Sequence, residues 1–88
     1  IIVSLNGCIL GSTIPASNYL YLSHDMPKPV AFSCATLMLN KTSTNFFLSN
    51  LAIEIGTDGV MSIGNENASA QIQSGNEVFG QLVYITTE

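Results

Sequence analysis

Leu51, Ile53 and Ile55 alternate with Ala52 and Glu54, the two-residue period of a half-buried β-strand. Thr57-Asp58-Gly59 interrupts, and Val60-Met61-Ser62-Ile63 resumes the pattern. Two loop lengths compete for this hairpin. A two-residue Asp58-Gly59 loop sets Ile55 opposite Ser62 and Ile53 opposite Gly64. A three-residue loop, Thr57 to Gly59, sets Ile55 opposite Met61, Ile53 opposite Ile63 and Glu54 opposite Ser62. Only the second gathers the large apolar groups, Val60 excepted, on one face. A one-residue slip would turn a strand's side chains over, so the pattern selects the three-residue loop. Such a loop is a type I turn followed by a left-handed residue, and Gly59 takes φ > 0 most cheaply.

The same reading places the other elements. Ile1 to Leu5 is an apolar strand. It then either turns at Asn6-Gly7 and returns through Cys8-Ile9-Leu10, or runs on as one strand with a bulge at Gly7. Gly11 to Asn18 is a loop, where Pro15 bars a central strand. Tyr19 to Leu22 is a short strand with its tyrosines on one face and its leucines on the other. Ser23 to Pro29 is an extended loop. Val30 to Leu39, the longest apolar run, is compatible with a buried strand or a short helix, and β-branched Val30 and Thr36 favour the strand. Phe46 to Ile55 returns from it across the turn-rich Asn40 to Asn45. Gly64 to Ala68 is a polar loop, Ser69 to Gln73 a short strand with Ala70 and Ile72 inward, and Ser74 to Glu77 a turn. Val78 to Thr87 is a last strand with apolar side chains on both faces, a pattern of strands covered on both sides. The sum is an all-β domain spanning 1–88, a small antiparallel sandwich or barrel of about 6–8 short strands.

Charge then narrows the function. Only 9% of the 88 residues are charged, against about 25% in an average domain. The basic side is Lys28 and Lys41 alone, and the net charge is −4. A duplex nucleic acid needs a positive footprint, so nucleic acid is excluded as a partner. No run reaches the length of a membrane-spanning helix, and no membrane insertion is expected. A Ser/Thr/Asn-rich, nearly uncharged surface protects poorly against association. The reading is a self-associating structural subunit, a homo-oligomer or polymer, in an extracellular filament of pilus type or at a virion surface. Ile1, Val3, Leu5, Val78, Phe79, Leu82, Val83, Tyr84 and Ile85, from the two terminal strands, are the expected contacts.

Candidate chemistry adds little to this. Cys8 and Cys34 lie in strand-like runs with no C-x-x-C, and are expected as one disulfide rather than two buried thiols. Closing about 26 residues, it would contribute about 3.5 kcal/mol in the chain-entropy model. Asn40-Lys-Thr and Asn67-Ala-Ser are glycosylation sequons, which arise by chance in such a composition. His24-Asp25 is the one place with acid–base potential, and reads as a solvated turn. No Gly-x-Ser-x-Gly elbow is present, so no catalytic residue is assigned and no enzyme is expected. Asn65, Glu66, Asn67 and Asn76 offer oxygens for calcium, but without EF-hand spacing they read as turn residues, and no metal or cofactor is assigned. A second reading is a secreted module that binds a glycan or a protein surface. Tyr19, Tyr21 and Tyr84, beside Asn18 or Gln81, are its candidate aromatics, against the reading in which they fill a core that has no Trp.

Overall fold

A computed structural model describes residues 1–41, 46–66 and 71–86, the side chains of 40, 41 and 46–50 excepted. It is all-β. Among the described residues, six antiparallel strands form one sheet that curls into a half-barrel. They are β1 (Ile2–Ile9), β2 (Tyr19–Ser23), β3 (Ser33–Lys41), β4 (Phe46–Ile55), β5 (Met61–Asn65) and β6 (Glu77–Val83). Their order across the sheet is β1-β6-β3-β4-β5-β2. The sheet takes a barrel's curl without closing, so β1 and β2 are both edges.

The β4–β5 hairpin has Ile55 opposite Met61, Ile53 opposite Ile63 and Glu54 opposite Ser62. Gly56 N donates to Val60 O at 3.1 Å, and Gly59 N to Gly56 O at 3.0 Å. Asp58 caps the turn by accepting from Val60 N. Gly59 has φ 84°. Leu51, Ile53, Ile55, Met61 and Ile63 all face the concave side and are buried there with Leu37, Leu39, Val78, Leu82 and Tyr84. Leu10, Ile14 and Ile72, from the segments flanking the strands, close this core.

The N-terminal segment is one strand with a bulge between Asn6 and Cys8, and Gly7 takes φ 72°. Val30 to Leu39 is strand and not helix, but pairing starts only at Ser33, and Val30 and Phe32 are exposed. The polar loop expected at Gly64 begins later, because Gly64 and Asn65 end β5. Asn65 is 2% exposed. Its Nδ2 donates to the carbonyls of Ile14 (3.2 Å) and Pro15 (3.1 Å), and its N–H to Asn18 O (2.9 Å). Ile72 is buried but joins Ile14 only through an isolated bridge, not a strand. Ser69 and Ala70 lie outside the described residues. The last strand is shorter than its composition suggests. β6 stops at Val83, and Thr86 forms a separate bridge to Pro29.

Candidate functional site

Three strands bring the chain's most distinctive polar group together on the convex face. The β4–β5 register sets Ser62 opposite Glu54 and Gly64 opposite Ala52. The β2–β5 register sets Tyr21 opposite Ser62 and Tyr19 opposite Gly64. Two rows therefore cross the sheet, Tyr21-Ser62-Glu54 and Tyr19-Gly64-Ala52. Gly64 leaves room that other side chains use. A Cβ there would lie 3.0 Å from Tyr19 Cε1, 3.0 Å from Glu66 Oε1 and 3.2 Å from Glu54 Oε1. The aromatic ring and both carboxyls thus converge over one glycine. Tyr19 and Tyr21 stay 48% and 61% exposed, and the Tyr21 ring stacks on His24 with centroids 5.4 Å apart.

The Glu54 and Glu66 carboxyls come together over Gly64. Partial burial, then the neighbouring Glu66 carboxyl and its charge, push Glu54 above its ordinary value of 4.5. The folded state therefore binds the proton more tightly than the unfolded chain. Its stabilisation is complete below the ordinary carboxyl value and disappears as pH rises through the raised one. Wild-type stability measured against Glu54→Gln is expected to show an excess at acid pH that declines above pH 4.5. A difference that is flat or rises with pH would contradict the raised Glu54 value.

The residues expected from the sequence divide sharply. Val78, Leu82 and Tyr84 are 1%, 1% and 4% exposed, so they belong to the chain's own core and are corrected as contacts for another chain. The Tyr84 hydroxyl donates to Pro27 O at 2.9 Å, which also removes it from the candidate glycan aromatics. Val3 and Leu5 are half-buried against the same core, and Phe79 is half-buried beside Gly7. Ile1, Val83 and Ile85 remain exposed. The expected Cys8–Cys34 bridge is corrected as well: both thiols are free and exposed. β6 separates their strands. Two inter-strand steps of about 4.8 Å already exceed the roughly 7 Å a disulfide spans between Cα atoms. Asp25 N donates to Ser23 Oγ in the His24-Asp25 loop. Asn76 Nδ2 donates to Gln73 O, as Asn65 does to its loop, so both amides serve the backbone. No cluster of three or more His, Cys, Asp or Glu suited to a metal occurs among the described residues. Asn67 lies outside them.

A second feature sits at the other edge. Ile1 and Tyr84 exchange both backbone hydrogen bonds, Ile1 N to Tyr84 O at 2.9 Å and Tyr84 N to Ile1 O at 3.0 Å. In an antiparallel ladder such pairs alternate with non-bonded ones. Ile2, Ser4 and Asn6 therefore turn their N–H and C=O groups away from β6, toward the free edge. Beside them, Ile2 is opposite Val83, and Val30 N donates to Ile85 O. Ile2, Val83, Ile85 and Val30 are 66%, 63%, 73% and 56% exposed. Sequence reasoning found Ile1, Val83 and Ile85 but not Ile2 or Val30, which come to this patch only through pairing across the sheet. No helix among the described residues is long and apolar enough to cross a membrane. No protein-family model, curated protein or solved structure matches the chain.

Proposed function

We propose that this chain is a structural subunit that self-associates through β1, within an extracellular filament or a virion-surface assembly. The observation that carries the reading is the edge of β1, unpaired among the described residues, with exposed Ile2 on it and exposed Val83 and Ile85 on the adjoining segment. Natural sheets blunt their edges with Lys, Pro or inward charges. The β1 sequence, IVSLNGCI, holds none of these, and its bulge, another such device, lies past Asn6, beyond the Ile2-to-Asn6 stretch. A second copy is the partner that fits. Antiparallel pairing of β1 with itself, centred on Ser4, sets Ser4 against Ser4 and Ile2 against Asn6. All three residues that point outward then find a bonding partner, and no charge opposes another across the pair. Apolar area on Ile2 and its neighbours is covered in the same step.

The self-association is expected to be visible by light scattering on a size-exclusion column. Ile2→Lys places a charge where the second copy pairs, and Ser4→Pro removes an outward N–H without touching the β6 ladder. Each is expected to weaken self-association at least tenfold, with the circular-dichroism spectrum unchanged. A wild-type chain that stays monomeric at millimolar concentration sinks the proposal. Equal association in both variants moves it away from β1.

A further inference from the structure

We propose that the convex face between β2 and β4 is a shallow binding site for a neutral saccharide, with the sugar ring lying on Tyr21 and Tyr19 and its hydroxyls taken by Glu54, Glu66 and Ser62. The site is independent of the β1 edge, which lies at the opposite end of the strand order.

Ser62 is the observation that points to a ligand. It is 8% exposed, yet its hydroxyl has no hydrogen-bond partner among the described residues. A buried polar group is normally paired, and one left open faces water or a ligand. It stands in the row between Tyr21 and Glu54. Next to it the Glu54 and Glu66 carboxyls converge over Gly64; their oxygens accept, and the Ser62 hydroxyl can donate as well as accept. Sugar hydroxyls need both roles at once. The tyrosines supply the other half of the requirement. Their rings are exposed, and Tyr21 is braced by the stack on His24. Aromatic faces of this kind take the C–H face of a pyranose, and Tyr gives large contact area with little entropy to lose.

The charge decides the class of ligand. Two carboxyls and no Lys or Arg among these residues disfavour phosphate, sulfate and sialic acid. Calcium is a poorer fit, because it requires six or more oxygens and makes no use of aromatic faces. A neutral saccharide uses every group present.

The test titrates the whole chain, labelled with ¹⁵N, against neutral oligosaccharides of glucose, galactose, mannose and N-acetylglucosamine, with sialyllactose and calcium chloride as separate arms. At least one neutral sugar is expected to give saturable shifts of the Tyr19, Tyr21, Ser62 and Gly64 amides, at millimolar strength typical of a shallow site. Tyr21→Ala is expected to weaken it at least tenfold and Ser62→Ala several-fold. Tyr21→Leu, which keeps the strand apolar, should weaken it as Tyr21→Ala does, which guards against a folding defect. No saturable shift with any neutral sugar overturns the proposal. So does binding that maps elsewhere, or shifts at these amides with calcium alone.

Discussion

Replacing Gly59 with Val is expected to destabilise the fold by about 4 kcal/mol, a large share of the 5–15 kcal/mol that holds a domain together. Three effects add. Gly59 has φ 84°, where an L-residue is strained by about 1–2 kcal/mol, and more when β-branched. Its Cβ would stand 2.5 Å from Met26 O, a backbone atom that cannot swing aside. Crowding of this kind typically costs about 1–3 kcal/mol. Moving the turn away would break the bond from Met26 N to Gly59 O, 3.1 Å long and worth about 1 kcal/mol. Thermal melting should fall by roughly 15–30 °C at about 4–8 °C per kcal/mol. A loss below about 1 kcal/mol would mean that neither the turn nor its contact with Met26 is as described.

Asn65→Leu is expected to cost about 3 kcal/mol, although Leu has the same branched outline and is far more apolar. The branched outline is kept, the methyls are bulkier than the amide, and the donors are lost. Asn65 Nδ2 satisfies the Ile14 and Pro15 carbonyls from a position 2% exposed. Ile14 O keeps its bond from Ile72 N and Pro15 O its bond from Asn18 N, so the loss is of two hydrogen bonds worth about 1 kcal/mol each. Seating the bulkier Leu in a packed site adds about 1 kcal/mol or more. The damage should spread along the chain. Ile14 and Ile72 exchange both backbone bonds, at 2.8 and 2.9 Å, and this bridge depends on the loop that Asn65 anchors. Urea unfolding would give the free energy, and the Ile14 and Ile72 amides should exchange faster with deuterium. If Asn65→Leu is as stable as wild type, the buried amide is not what fastens that loop.

These two positions differ in how well the sequence announces them. The β4–β5 register is legible because both strands alternate strictly and a slip would bury Ser62 against Ile55. Asn65 is not, because an Asn beside Gly64, Glu66 and Asn67 looks like any polar loop. Its burial depends on the 14–18 loop, more than 40 positions earlier, coming to rest on β5. The same limit hides the sheet order. Nothing local tells β1 to pair β6 or β2 to pair β5. The two-sided apolar pattern of Val78 to Thr87 misleads in a specific way. One face fills the core through Val78, Leu82 and Tyr84, while Val83 and Ile85 on the other stay in solvent. The candidate saccharide site was half visible: paired tyrosines on one face, and Glu54 on the polar side of its strand. Ser62 and Glu66 join them only once β5 is set between β2 and β4.

The strand order also sets what each contact demands of the chain. The β4–β5 turn brings together Ile55 and Met61, whereas the nearest pair joining β1 to β6 is Ile9 and Glu77. The second loop is some thirteen times longer than the first. Loop closure grows as the logarithm of length, so it costs about 2.3 kcal/mol more in lost chain freedom. Val3 and Leu5 must offset that difference by landing on the core. Pairing can spread outward from the central meander at little entropic expense, and the strand that carries the bare edge is the one whose docking closes the widest span.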